Sequence, residues 1–441
     1  MSRNPFLHIL GAGPAGLSIG YYAKKKNIPF IINESSNQVG GNCRTIKNGD
    51  FKFDTGAHRF HDKIPTVTQE IKELMGDELL IVKSPSKIYK DGTMIDFPIN
   101  FSSLLQSLSL GQICDILIEN LFKRSSNGSM EKNFKNRAYH TYGKTLSNLF
   151  LINYTEKLWG RSADLLQEDV AGDRLKNLDL PSIIKQKILG FNKYKNLDGS
   201  FFYPQNGFGS IFESMANHIG FDKINTGTPV KKIMHEKGKI TGLVCGNSKI
   251  TDPEMVISSL PIDKTIHLMD PVPPNEILLA VNEIGYRNIK ICVLFLNTPF
   301  FSKNASIYFP DRKLNFTRIY EPKNRSAHMA PIDKTCIVIE CPYDSGDHLS
   351  SMRKDEFYEM IRNDLLNERL INKDQIIDYD IFDMKNAYPI LDINIKEKKK
   401  KILSYLNTFE NMYLIGRNAE FQYLHTHDII SKGRMFIENF G

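Results

Sequence analysis

The chain is poor in the features that mark several protein classes. It has a single tryptophan, and its six cysteines (Cys43, Cys114, Cys245, Cys292, Cys336 and Cys341) include no Cys-x-x-Cys pair. That spacing argues against a zinc or disulfide framework and fits reduced thiols. No run of about 18 apolar residues occurs, so no membrane-spanning helix is expected. The first residues carry too short an apolar stretch for a secretion signal, and a cytoplasmic protein is expected. Charge of one sign is also scarce, since 57 Lys+Arg against 50 Asp+Glu leave +7. The densest basic run, Lys396 to Lys401, has no interleaved aromatic residues and is followed by Ile402, Leu403 and Leu406. It is expected to be a solvated helix face rather than a nucleic-acid patch. The 41% hydrophobic and 24% charged residues are those of an ordinary globular chain, and 441 residues suffice for two or three domains.

The N-terminal segment is rich in pattern. Phe6 to Leu10 reads as a short buried strand and leads into Gly11-Ala12-Gly13-Pro14-Ala15-Gly16. In this Gly-x-Gly-x-x-Gly, Gly11 permits the tight turn, Gly13 lets a diphosphate approach the backbone, and Gly16 lets the helix lie close to the strand. A helix to about Lys26, a second strand Ile28 to Ile32 and Glu34 complete a βαβ unit. Glu34 lies where a carboxylate can accept from ribose hydroxyls, and the helix amides suit a pyrophosphate. These residues alone leave FAD and NAD open. Gly40-Gly41-Asn42-Cys43-Arg44 resembles the second flavin contact of two-dinucleotide-binding flavoproteins and favours FAD over a simple turn.

Further along, residues 101–190 carry helical spacing, as in Ile113, Ile116, Leu117 and Leu121, with a loop at Ser125–Ser129. Pro229 to Val244 reads as a hairpin turning at Lys237-Gly238, and Met255 to Ser258 as a return to the nucleotide-binding sheet. Strand-like segments fill 285–345, a helix carries Phe357, Ile361, Leu365 and Leu366, and a strand at Met412–Ile415 precedes a final helix near His427 or Asp428. The expected fold is α/β: a discontinuous Rossmann-like FAD-binding domain (1–95, 196–270 and 385–441) with a helical nucleotide-binding insertion (96–195) and an antiparallel-sheet substrate insertion (271–384).

In this setting several motifs resemble those of the UDP-galactopyranose mutases, within the wider amine oxidase and protoporphyrinogen oxidase-like flavoproteins. They are Thr55-Gly56-Ala57-His58-Arg59-Phe60-His61, Asp96 to Asn100, Asn153 to Gly160 with Trp159, Arg174, Phe316 to Glu321 around Arg318, Ala387-Tyr388-Pro389-Ile390, and Gly416-Arg417 with Tyr423. The resemblance implies FAD contacts at Gly11, Gly13, Pro14, Ala15, Gly16, Glu34, Ser35, Gly41, Asn42, His58, Arg59, Phe60, Val230, Gly416, Arg417, His427 and Asp428. It implies nucleotide-sugar contacts at Asn100, Tyr154, Thr155, Trp159, Arg174, Tyr308, Arg318, Tyr388 and Tyr423. Catalytic roles fall to Arg174, Arg318 and His58, with no metal.

Each residue also has a plainer reading. Trp159 and the tyrosines could be core, His58 and His61 hydrogen-bonded buried histidines, and Arg174 a surface ion-pair residue beside Asp169 and Asp173. Two departures stand out. His425 and His427 occupy the positions of the family's Asp-x-Asp pair, with Asp428 one step later, and Arg59 replaces an apolar residue.

The implied activity is interconversion of pyranose and furanose forms of a nucleotide-diphosphate sugar, the N5 of reduced FAD acting as nucleophile at the anomeric carbon. Two arginines suit a diphosphate because each offers a planar fork of donors. A homodimer is compatible with this reading. The alternatives are an FAD-dependent oxidoreductase of the amine oxidase or protoporphyrinogen oxidase-like type, and a non-catalytic FAD-binding protein.

Overall fold

The computed structural model describes residues 4–97, 99, 108–121, 131–168, 170 and 200–439. Asn100 and Arg174 lie outside these residues, as do the Ser125–Ser129 loop and much of the stretch read as helical. The βαβ unit forms as β1 (Leu7–Leu10), α1 (Pro14–Lys25) and β2 (Phe30–Asn33). The pair β1–β2 is the centre of a five-stranded parallel sheet. Beyond β1 lie Met255–Ser258 and then Met412–Leu414, and beyond β2 lies Ile224–Asn225. Three distant segments therefore rejoin the N-terminal sheet. A short apolar run with little alternation is what burial on both faces demands. Here α1 covers one face, packed between the helices Ser210–Ile219 and Thr426–Glu438. Glycines allow this close packing: a Cβ on Gly433 would lie 2.8 Å from Ser18 Cβ, and one on Gly20 3.1 Å from Ile219.

The second large sheet has seven strands, in the order Ile376–Pro389, Tyr286–Leu296, Thr335–Tyr343, Arg318–Tyr320, Ser306–Tyr308, Ser86–Lys90 and Thr93–Phe97. It is antiparallel except where Ser306–Tyr308 runs parallel to Ser86–Lys90. The hairpin 86–97, which straddles the expected boundary at 95, is thus the outer edge of this sheet, and the strand Ile376–Pro389 runs through the expected boundary at 384. Tyr286–Leu296 and Thr335–Tyr343 are buried along their whole length. Their alternation survives in what each face meets. Cys292, Leu294 and Leu296 pack with Phe357, Ile361 and Leu365 of the helix Lys354–Asn367, while Ile289, Ile291, Val293 and Phe295 pack with Phe53.

The hairpin Val230–Glu236 and Lys239–Cys245 turns at Lys237-Gly238, both with positive φ, as a type I′ turn requires. The basic run lies on the helix Ile395–Leu406, with Ile402 and Leu406 buried and Lys398 and Lys401 paired to Glu283 and Glu276. In the helical insertion, Phe134–Tyr142 leads through a wide π-type turn, Ser147–Ile152, into the short helix Asn153–Trp159.

The end of that short helix is held from the sheet. Gly160 closes it in the left-handed conformation at φ 64°. The buried Arg287 guanidinium donates to the carbonyls of Leu158 (3.1 Å) and Lys157 (3.2 Å), and it pairs with Asp344 at 3.0 Å. A Cβ on Gly160 would sit 2.6 Å from the Arg287 Cζ.

Candidate functional site

At the carboxyl end of β1 the backbone is bare. Gly11 has φ 98°, and a Cβ on Gly16 would lie 1.9 Å from the Gly11 carbonyl oxygen, so only glycine lets α1 begin this close to the strand. Gly13 faces Gly41, where a Cβ on the latter would lie 3.1 Å from Gly13 Cα. Gly40 N donates to Ala12 O at 2.8 Å, which locks the two glycine turns together. A Cβ on Gly416 would meet Ala15 Cβ at 2.7 Å, so the C-terminal Gly-Arg segment closes the same surface. The buried Glu34 accepts from Ala12 N (2.7 Å) and Ser36 N (2.8 Å), and Ser35 Oγ approaches it at 3.2 Å. These bonds fix the carboxylate at the edge of the glycine turn.

Arg44, quoted in the Gly-Gly segment but assigned no role there, is the residue that sequence reasoning missed. Its Nε is buried with no hydrogen-bond partner, and its Nη1 only reaches Ser36 Oγ at 3.5 Å. An orphaned guanidinium nitrogen beside two glycine turns fits a bound anion. The signal was the spacing itself, a cation three residues after Gly41. Bare glycine backbone, a fixed carboxylate, the amide end of α1 and a cation awaiting a partner together fit a dinucleotide with its pyrophosphate.

The loop carrying His58 is braced from below. Asp54, fully buried, accepts from Tyr203 Oη (2.5 Å), Thr45 Oγ1 (2.7 Å) and Phe208 N (2.9 Å). His58 stacks on Phe208 with ring centroids 5.1 Å apart, and its Nε2 lies 3.0 Å from the Asn42 carbonyl. Burial, then the Arg417 charge, lowers its pKa to about 3, against the pull of Asn42; Arg318 and Arg325 add to the fall. The imidazole is therefore neutral, and Nε2 carries the proton that it donates to Asn42. His61 lies against Phe201.

Arg318 leaves the inner strand Arg318–Tyr320 of the seven-stranded sheet and donates from Nε (2.9 Å) and Nη2 to one oxygen of Glu340, whose other oxygen accepts from Ala57 N at 2.9 Å. Burial opposes its charge, but Glu340 and the nearby Tyr388, Tyr154 and Tyr308 outweigh it, so its pKa is raised well above the ordinary range. Tyr154 meets Tyr308 edge to face at 5.7 Å. Trp159, Tyr388 and Tyr423 form a triangle with centroids 5.6–5.7 Å apart. The Arg417 guanidinium lies over Tyr388 and Tyr423, and its Nε donates to Leu424 O at 2.8 Å. Residues far apart in sequence thus make one aromatic face with Arg318 at its side.

Other expected residues have partners within the protein. Arg59 donates to Ser86 Oγ (2.9 Å) and Ser306 Oγ (2.8 Å) and lies over Phe201, so it ties the His58 loop to the seven-stranded sheet. The Phe60 side chain is in the core and its backbone bridges to Phe202. Val230 and Thr155 are also buried. The last helix begins at Thr426, earlier than expected, because His425 takes the capping position. Asp428 accepts from His425 N at 2.9 Å, and His427 is buried beside it. Among the described residues, no cluster of three or more His, Cys, Asp or Glu could hold a metal, and no helix is long and apolar enough to cross a membrane.

The family model for flavin-containing amine oxidoreductases matches residues 14–381. A 1-hydroxycarotenoid 3,4-desaturase of Flavobacterium sp. (strain P99-3) is 23% identical over 391 residues, covering 78% of each chain. Coproporphyrinogen III oxidase of Bacillus subtilis is 21% identical over 310 residues, 64% of this chain and 65% of that protein. Among solved structures, reduced UDP-galactopyranose mutase superposes with a TM-score of 0.84 at 17% identity, covering 99% of this chain and 95% of the other. The glycine cradle and these matches make FAD the cofactor.

Proposed function

The chain belongs to the flavin-containing amine oxidoreductase family, and within it we propose an FAD-dependent mutase that interconverts the pyranose and furanose forms of a nucleotide-diphosphate sugar. One observation carries this reading. A permanently charged arginine, Arg318, stands at an aromatic face with Tyr154, Tyr308 and Tyr388 close enough to act on its charge. A guanidinium fork and phenolic hydroxyls are what a diphosphate needs: paired donors for its oxygens, and no added like charge. Tyr388 and Tyr423, both partly exposed beside the buried Trp159, offer apolar surface for a base or sugar ring. A hydride-only oxidase of small apolar substrates has no use for such a clamp.

Reduced FAD supplies an electron-rich nitrogen for the anomeric carbon. The chain does the rest. Arg318 holds the diphosphate as it leaves and keeps it placed for return. Arg174, outside the described residues, is the second proposed donor. His58 stays neutral, so it presents an uncharged edge to the ring system beside it. The amide end of the last helix favours negative charge there.

An oxidoreductase is the second reading, favoured by the desaturase and the oxidase among the relatives. The test is anaerobic turnover of UDP-galactose by the dithionite-reduced protein. Furanose product with no net flavin oxidation is the expected result. No furanose product, with amines or porphyrinogens reducing the oxidised flavin instead, would overturn the mutase reading.

A further inference from the structure

The two tyrosines that meet beside Arg318 come from different parts of the chain. Tyr308 ends the strand Ser306–Tyr308 and lies directly opposite Arg318 in an antiparallel hairpin, whose connection is 309–317. Tyr154 comes from the helix Asn153–Trp159 and meets Tyr308 edge to face. The connection is firmly seated. Phe309, Leu314 and Phe316 are buried against the helix Lys354–Asn367. Asn315 donates from its backbone (3.1 Å) and its side chain (3.0 Å) to Asp364 of that helix.

Lys157 crosses from the short helix to this connection. It stands three residues after Tyr154, and so on the same helix face. Its Nζ donates to the carbonyls of Phe309 (2.9 Å) and Asp311 (2.7 Å). It forms no ion pair with a described residue. Burial lowers its pKa to about 8, against the pull of Cys341, Asp311 and Asp364, so the ammonium is still the main form at about pH 7. One residue earlier, Glu156 pairs with Arg312 of the same connection and accepts from Ala163 N at 2.8 Å. The Lys157 carbonyl meanwhile accepts from Arg287. Lys157 thus stands where a tie to the hairpin crosses a tie to the sheet.

A partly desolvated lysine with two backbone carbonyls and no paired acid is an expensive way to pack a helix. What it secures is a distance. Charge-assisted bonds run from the helix of Tyr154 to the residue after Tyr308, and they fix the gap between the two rings. A ligand held beside Arg318 has to fit that gap.

We propose that Lys157 is a positioning residue for the diphosphate slot: it holds Tyr154 opposite Tyr308 and so sets how tightly the nucleotide end of the substrate is gripped. This role rests on the nucleotide-sugar reading above and assigns the joint on which its affinity depends.

The test is calorimetric titration of the FAD-loaded protein with UDP. Lys157→Met keeps the stem and removes the donors. It should bind UDP at least about tenfold more weakly, the scale of one charge-assisted contact, with FAD retained. Trp159, the single tryptophan, ends the same helix, so its emission should become more accessible to acrylamide in that variant. Arg312→Met loosens the same joint from the exposed side and should lose about twofold to fivefold, the scale of one surface ion pair. Unchanged UDP affinity in whichever of the two variants folds, or unchanged Trp159 accessibility in Lys157→Met, overturns the proposal. So does a Lys157→Met protein that loses FAD and UDP in equal measure, since the lysine would then support the fold at large. A wild type that binds no UDP overturns the nucleotide-sugar reading and this role with it.

Discussion

Glu340→Gln separates the structural and ligand-binding duties of Arg318. The pair is almost wholly desolvated, with side-chain exposure of 12% for Arg318 and 2% for Glu340. Two unit charges about 3 Å apart attract by roughly 5 kcal/mol at an effective dielectric constant near 20. Removing one member of a buried pair costs about 3–5 kcal/mol, because the other is left charged and unpaired. Gln keeps the volume and an oxygen for Ala57 N, so the change is one of charge. The FAD-loaded variant should lose about 3 kcal/mol or more in urea unfolding followed by flavin fluorescence. A bound diphosphate would then return an anion to Arg318, so UDP should stabilise the variant more than the wild type. Such linkage grows as RT ln(1 + [L]/Kd), which makes the comparison quantitative at fixed UDP. A loss under about 1 kcal/mol would show that water shares the Arg318 charge. Equal stabilisation of both proteins by UDP would show that Arg318 does not meet the diphosphate.

Two further outcomes follow from the site. Arg44→Met should weaken FAD binding by tenfold or more, because the orphaned guanidinium loses a charge-assisted contact to the pyrophosphate; unchanged retention of FAD on dialysis would refute that role. His58 has a folded pKa of about 3, below its unfolded value near 6.5, so the unfolded chain binds the extra proton first as pH falls. The stability gained from a neutral His58 is therefore complete above about pH 6.5 and is lost towards pH 3, and His58→Gln should flatten the stability-versus-pH curve by up to about 1.4 kcal/mol per pH unit in that window. Identical slopes for the two proteins would count against it.

The elements that sequence made legible are those set by local patterns. The glycine turn, the type I′ hairpin at Lys237-Gly238 and the returning strands at 255–258 and 412–414 follow from backbone demands and short apolar runs. Pairing between distant segments was not legible: the hairpin 86–97 joins the seven-stranded sheet through Ser306–Tyr308, because strand pairing is decided by register in space. Side-chain direction was equally hidden. Arg59 was expected to face the flavin, but two buried serines on neighbouring strands offer it acceptors. Phe60 lies two residues after His58 and turns into the core, while its backbone bridges to Phe202. The aromatic triangle joins residues 159, 388 and 423, and no spacing rule spans such separations. Family resemblance supplied those three; Arg44 needed the structure, where an unsatisfied nitrogen reveals it.

The grip of Arg287 on the end of the helix Asn153–Trp159 has a wider consequence. Trp159 belongs by sequence to the helical insertion, but its position is surveyed from the sheet, through one arginine and one glycine without room for a methyl group. The Trp159 end of that helix thus hangs from the same sheet as Arg318, whose strand lies two away from that of Arg287. A change at Arg287 or Gly160 would therefore move Trp159 relative to Arg318 without touching either residue.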